Sequence, residues 1–223
     1  MDALIVGDGE VPPPTVFERL FPRAQGNPQL VIAADGGALK AEALGLRPDL
    51  VVGDLDSLDE RDVERLRRED VAVLAFPSRK DESDTQLAVR EALARGVDRV
   101  VLIGALGGRR IEHSLANVLL LTMPELSRID ASIVDRASTL RALGSSGRRR
   151  LELHGAAGDY VSLLPLTERV EGVTTIGLTY ELHDEELRQG PARGLSNELI
   201  GERATISTTS GRLLVVHTSR AEA

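Results

Sequence analysis

The chain has 223 residues, 42% of them apolar, a net charge of −8 and no cysteine. That length permits one large domain or two small ones with a sizeable core. The composition excludes disulfides, thiolate metal sites and cysteine nucleophiles, and the acidic balance argues against a general nucleic-acid binder, which needs a basic face. No apolar run approaches a membrane span, and MDALIVGDGE has no basic region ahead of its short apolar stretch. Neither a membrane segment nor a signal peptide is expected, and the expected compartment is the cytoplasm.

The first two-thirds of the chain alternate between two kinds of segment. ALIVG (3–7) reads as a buried strand, PTVFERLF (14–21) as a short helix with Pro14 near its start, QLVIAAD (29–35) as a second strand, and GGALKAEALGL (36–46) as a helix closed by Gly45. DLVVGD (49–54) is a third strand, DERDVERLRRED (59–70) a charged surface helix, VAVLAF (71–76) a fourth strand, and DESDTQLAVREALARG (81–96) a helix ended by Gly96. RVVLIGA (99–105), EHSLANVLLLTMPEL (112–126) and ASIVD (131–135) follow as strand, helix and strand. Continuous apolar strands alternating with helices predict a parallel sheet covered on both faces. After a polar, turn-like SSGRRR (145–150), the last third holds only short β-branched or alternating runs separated by turns, which predicts a small all-β sandwich or barrel. The fold class is therefore α/β, a Rossmann-like parallel-sheet domain over 1–143 followed by an all-β domain over 144–223.

In such a sheet, ligands bind outside the carboxyl ends of the strands. The segments there are GDGE (7–10), ADGG (34–37), GDLDS (53–57), PSRKDESD (77–84) and GALGGRR (104–110), so the acid pairs and glycine clusters of the first half share one rim. Asp54 and Asp56 stand at i and i+2, which on an extended chain point the same way and repel unless a cation sits between them. A lone aspartate there reads as turn or cap chemistry. Five on one rim, Asp35, Asp54, Asp56, Asp81 and Asp84, point to Mg²⁺ shared with substrate phosphates. Asp81 and Asp84 also fit a helix cap, and both readings hold together if the two share a helix face.

Lys80 offers a point charge to phosphate or is a solvated lysine; it and Lys40 are the only lysines. Gly36, Gly37, Gly107 and Gly108 let backbone approach a ligand. Neither G-x-x-x-x-G-K-[ST] nor G-x-G-x-x-G is present, so Walker-type and dinucleotide readings fail. With Arg109, Arg110 and His113, the GALGGRR segment fits a polyphosphate cradle; His113 fits equally a helix-start residue bonded to backbone.

The stretches ADGG, RPDLVVGDLDSL (47–58), KDESD (80–84), GALGGRRIEHSLANVLLL (104–121), VSLLPL (161–166), GVTTIGLTYEL (172–182) and GLSNE (194–198), in this order and spacing, resemble the thiamin pyrophosphokinase family over roughly residues 3–217. The resemblance implies an N-terminal α/β nucleotide-binding domain and a C-terminal β-sandwich, working as a homodimer with the active site between subunits. It implies that Asp54, Asp56, Asp81 and Asp84 hold Mg²⁺ and the ATP phosphates, with Asp35 beside them. Arg109 or Arg110 and His113 would belong to the same site. Ser196 and Asn197 match the segment that helps receive thiamin, from the partner subunit.

The implied reaction is attack of the thiamin hydroxyl on the β-phosphorus of ATP, with AMP leaving. Such chemistry asks the protein mainly for positioning and charge neutralisation. Three departures stand out. The family's usual K-D-x-T-D appears here as K-D-E-S-D, its usual aspartate before His113 appears as Glu112 with an extra arginine ahead of it, and no tryptophan exists to stack on thiamin. Two rivals are a pyrophosphokinase for another alcohol, such as a hydroxymethylpterin, and a non-catalytic nucleotide or thiamin sensor. The β-domain motifs oppose the first and the acid set opposes the second.

Overall fold

The structure, a computed structural model, describes residues 1–13, 17, 28–144 and 148–222. Apart from Phe17, the helix expected over 14–21 lies outside the described residues, as do residues 145–147 of the expected turn. The chain forms two compact units, Met1–Leu120 with Ile129–Asp135, and Leu121–Arg128 with Arg136–Ala223.

The first unit holds β1 (Asp2–Val6), β2 (Leu30–Ala34), α1 (Gly37–Ala43), β3 (Leu50–Gly53), α2 (Glu60–Arg68), β4 (Ala72–Ala75), α3 (Asp84–Ala94), β5 (Arg99–Ile103), α4 (Ile111–Leu120) and β6 (Asp130–Val134). Its strands are all parallel, in the order β6-β5-β1-β2-β3-β4. Every residue of β2 and β3 is buried, as their unbroken apolar runs require when helices cover both faces. Leu4, Val6, Val31, Val101 and Ile103 pack with Ala41 and Leu46 into one face cluster.

Local chemistry sets the helix ends. The Asp59 side chain accepts from the Asp62 N–H at 2.8 Å to start α2. Gly45, at φ 73, closes α1, with its N–H donating to Glu42 O and the Leu46 N–H to Ala41 O. The fourth helix stops short of the expected 126: α4 ends at Leu120 and a separate 3₁₀ turn spans Pro124–Arg128, because Pro124 has no N–H to continue the ladder.

The strand order dictates one long excursion. From β1 to β4 the chain steps outward, strand by strand; it then returns past β3, β2 and β1 to reach β5. Right-handed crossovers in opposite directions lie on opposite faces, so α3 runs across the face opposite α1 and α2. It packs on β2, β3 and β1. Its first residue is thereby carried to the carboxyl ends of β2 and β3.

Among the described residues, the second unit is all β apart from the 3₁₀ turn. Strands β7 (Ser138–Gly144), β9 (Tyr160–Pro165), β12 (Asn197–Glu198) and β14 (Arg212–Thr218) pair antiparallel in the order β12-β9-β14-β7. Strands β8 (Arg150–His154), β10 (Arg169–Ile176), β11 (Glu185–Arg188) and β13 (Arg203–Ser207) pair as β11-β10-β13-β8. Leu143, Val161, Leu163, Leu213 and Val215 of one sheet share a core with Leu151, Leu153, Val170, Val173, Ala204 and Ile206 of the other, which makes a sandwich. Strands β7 and β11 carry no clear alternation and were not expected from the sequence. The pairing of β7 with β14 places it in this unit, so the units part several residues ahead of 144. Among the described residues, no helix is long and apolar enough to cross a membrane.

Candidate active site

A cavity of about 780 Å³ opens at the carboxyl rim of the first unit. Asp35 follows β2, Asp54 follows β3 and Asp84 opens α3; one carboxylate oxygen from each lies within 4.8 Å of the others. Asp35 is only 7% exposed and sits in the left-handed region at φ 47, which aspartate tolerates better than most residues. Asp35 Oδ1 and Asp84 Oδ1 are buried and accept no hydrogen bond. The Lys80 ammonium is 3.0 Å from Asp84 Oδ1 and 3.8 Å from Asp54 Oδ2, close enough to pair by charge but not aligned to donate to Asp84. Buried carboxylate oxygens without donors are costly on their own. Three hard oxygen donors converging in this way fit Mg²⁺.

The glycine before Asp54 makes the convergence possible. A Cβ at Gly53 would stand 3.1 Å from Asp84 Cγ, 3.2 Å from Asp84 Oδ1 and 3.1 Å from Asp35 Cβ. Asp54 and Asp56 are not on an extended strand: β3 ends at Gly53, and Leu55 turns back at φ 64. The same-direction argument for i and i+2 therefore does not apply. Instead a turn holds the pair, with the Asp56 N–H donating to Asp54 Oδ1 at 3.4 Å and the Ser57 hydroxyl to Asp56 Oδ1 at 3.3 Å. Asp56 lines the cavity but stands outside the close trio.

Asp81 is exposed and does not line the cavity. The helix begins three residues later than the sequence suggested, and its cap is Ser83, whose Oγ accepts from the Gln86 N–H at 3.2 Å. Asp81 thus neither caps α3 nor shares a helix face with Asp84.

The opposite wall is the glycine-rich loop after β5. Gly108, Arg109, Arg110 and His113 all line the cavity. Asn117, buried on α4, donates to Ala105 O at 2.8 Å, and Ser114 Oγ to Gly107 O at 3.3 Å. From the other side, Gly9 N donates to Gly104 O and Glu10 N to Leu106 O, both at 2.8 Å. The Arg110 Nε donates to Glu112 Oε1 at 2.6 Å, and this contact holds the Glu112 carboxyl below the usual range. No described residue pairs with Arg109. The His113 N–H bonds Arg110 O at 3.1 Å, as a helix-start residue does, and His113 also lines the cavity.

Gly36 and Gly37 do not line the cavity; a Cβ on Gly37 would come 2.0 Å from Val6 O and one on Gly36 2.7 Å from Asp8 Oδ1. Close backbone packing against the β1 end requires glycine at 37, whereas the contact at 36 is with the movable end of a side chain. Sequence reasoning assigned no role to Asp8, Lys40, Ser57 or Asn117, all of which line the cavity. For Lys40 the sequence signal is its rarity, as one of two lysines in an arginine-rich chain; both line this cavity.

Ser196 and Asn197 lie in the second unit. Ser196 has φ 58 and its N–H donates to Ser162 Oγ at 3.1 Å. Asn197 is buried; its Oδ1 accepts from the Tyr180 N–H at 3.0 Å and its Nδ2 donates to Tyr180 O at 2.7 Å. This double clasp fixes the backbone of Tyr180, a residue that is 71% exposed. Elsewhere in the unit, Asp159 accepts from the N–H groups of Ala156 and Arg220 and from His217 Nε2 at 3.0 Å. Burial opposes its charge, but these hydrogen bonds prevail and hold its carboxyl below the usual range.

An open parallel sheet that gathers carboxylates, cations and a glycine-rich loop at its carboxyl rim has the build of a phosphate-handling protein. Comparison with known proteins narrows that class. Residues 21–133 match the model of the thiamin pyrophosphokinase catalytic domain and residues 149–213 that of the thiamin pyrophosphokinase vitamin B1 binding domain. The chain is 28% identical over 190 residues to thiamine pyrophosphokinase of Bacillus subtilis, covering 85% of this chain and 87% of that one. The crystal structure of thiamin pyrophosphokinase from Geobacillus thermodenitrificans is 29% identical, with a TM-score of 0.80 and 99% of each chain covered. That of the Bacillus subtilis protein superimposes with a TM-score of 0.83 at 24% identity, covering 99% of this chain and 100% of that one. The chain belongs to the thiamin pyrophosphokinase family: it is a transferase that moves pyrophosphate from ATP to thiamin, giving thiamin diphosphate.

Proposed function

We propose that the first-unit cavity binds ATP together with Mg²⁺, and that the pyrophosphoryl group passes to the thiamin hydroxyl with release of AMP. The convergence of Asp35, Asp54 and Asp84 within 4.8 Å, with two buried oxygens lacking donors, is the observation that carries the reading. When bound, Mg²⁺ neutralises polyphosphate charge and orients the β-phosphorus. Asp35, Asp54 and Asp84 are its proposed ligands. Asp56 and Asp81, exposed nearby, retain roles expected from the family pattern, through water or phosphate rather than in the close trio. Lys40, Lys80, Arg109 and Arg110 supply the positive charge that a chain of net −8 must place locally to hold a polyphosphate. The loop amides at Gly107 and Gly108, both at positive φ, add donors with no side chain in the way.

In this reading the N-terminal part, 1–143 by sequence, carries ATP and the metal, and 144–223 receives thiamin and dimerises. The vitamin B1 binding model supports the second assignment. Tyr180, clasped by Asn197 and largely exposed, is the proposed flat surface for thiamin in place of tryptophan. Ser196 is the proposed polar contact. A homodimer with the active site between subunits and a cytoplasmic location complete the proposal.

An AMP-release assay with ATP, Mg²⁺ and thiamin, with product read by mass, tests it. Thiamin diphosphate and AMP in equal amounts are expected. AMP formation with a hydroxymethylpterin but not thiamin, or thiamin binding without AMP, would overturn it.

A further inference from the structure

We propose that Lys80 is the resident counter-ion of the metal site and couples entry of the divalent cation to entry of the nucleotide. The inference rests on the metal reading above. The Lys80 ammonium sits 3.0 Å from Asp84 Oδ1 and 3.8 Å from Asp54 Oδ2, with its side chain 15% exposed. It also donates to Pro77 O at 3.3 Å, which seats it among the acids. Three carboxylates within 4.8 Å repel one another, and this cation is the charge that offsets them.

Of the 27 basic residues only two are lysines, and both line this cavity. The chemistry favours lysine at position 80. A guanidinium would grip a carboxylate through its planar fork, whereas an ammonium on a flexible stem is a point charge that can change partner.

The consequence is a coupled equilibrium. A divalent cation arriving alone must displace the ammonium and leave it without an anion. Arriving with a nucleotide, it releases the ammonium to a phosphate oxygen. Cation and nucleotide therefore strengthen each other's binding reciprocally.

The test uses Mn²⁺ as probe, with binding measured by the EPR signal of the free ion, alone and with α,β-methylene ATP, whose bridge resists cleavage. Lys80→Gln is expected to bind Mn²⁺ alone about tenfold tighter than wild type, because a competing charge at contact distance is gone. The enhancement of Mn²⁺ binding by the nucleotide should shrink toward unity in that variant. Lys40→Gln removes a cation from the same cavity that pairs with no described carboxylate, and should change Mn²⁺ binding far less. Lys80→Arg keeps the acids paired, guards against misfolding, and should bind Mn²⁺ alone no better than wild type. Unchanged or weaker binding in Lys80→Gln, with Asp84→Asn still abolishing it, would overturn the role of Lys80 and leave the metal reading standing. No saturable Mn²⁺ binding in any of these proteins would overturn both.

Discussion

Replacing Gly53 by alanine tests whether the site depends on one missing methyl group. The added Cβ would stand 3.1 Å from Asp84 Cγ and 3.1 Å from Asp35 Cβ, so both acids must retreat by a few tenths of an ångström. Gly53 also has φ 149, which L-residues rarely adopt. Strain of that kind costs about 1–3 kcal/mol, and overpacking a tight site about 1–3 kcal/mol more. The expected loss of unfolding free energy is thus roughly 2–6 kcal/mol. Mg²⁺ demands near-ideal octahedral geometry, and a misplacement approaching 1 Å costs on the order of 10²-fold in rate. A fall in kcat/KM of about tenfold or more is expected, with weakened Mn²⁺ binding, in protein that is still folded.

Gly45→Ala is the matched control. It also has positive φ, but its Cβ would meet nothing within 4 Å. It should cost about 1 kcal/mol of stability and no activity. The measurements are chemical denaturation, Mn²⁺ titration and AMP release on both variants. Activity and Mn²⁺ affinity of Gly53→Ala within about twofold of wild type would refute the reasoning, since the acids would then have tolerated a contact that close packing forbids.

Asp35→Asn should lower turnover by about 10²-fold or more while raising stability in chelator by about 1 kcal/mol, because it relieves repulsion among three carboxylates; circular dichroism melting and AMP release read the two effects. Tyr180→Ala should raise the thiamin KM about tenfold, a stacking contact of 1–1.5 kcal/mol, and leave the ATP KM unchanged. Asp159→Asn should destabilise the β unit by about 2–3 kcal/mol at neutral pH. The Asp159 carboxyl is depressed on folding, so its contribution is present above the ordinary aspartate pKa of about 4 and is lost as pH falls through the lower folded value. Urea melts at descending pH should therefore show wild type and Asp159→Asn converging only in strong acid.

Much of the first unit was legible because its signals are local. LVIAA and LVVG are unbroken apolar runs, and they are buried strands. Gly45 ends α1 and Asp59 starts α2 through bonds to residues within five positions. The rim itself followed from the alternation, since every strand of a parallel sheet ends on the same side. Helix starts were less secure: all four residues of DESD carry a side-chain acceptor, and only the backbone path selected Ser83 as the cap over Asp81.

Turns between short alternating runs mark the second unit as a sandwich, but β7 and β11 carry no such local signal. Their burial depends on partners far along the chain: β7 pairs with β14, some seventy residues later.

The sequence by itself determined the class of the protein: alternation demanded a parallel sheet, the sheet demanded one rim, and the acids and glycines fell on it. Tertiary structure alone decided which acids meet. Asp35, Asp54 and Asp84 are far apart in sequence, and they converge because α3, which packs across β3, β2 and β1, starts against a glycine that leaves room for its first residue. Periodicity reports which face a residue takes within its own element. It carries no information on which elements cross, and that is where Asp81 fell outside the cavity lining and Lys80 acquired its partners.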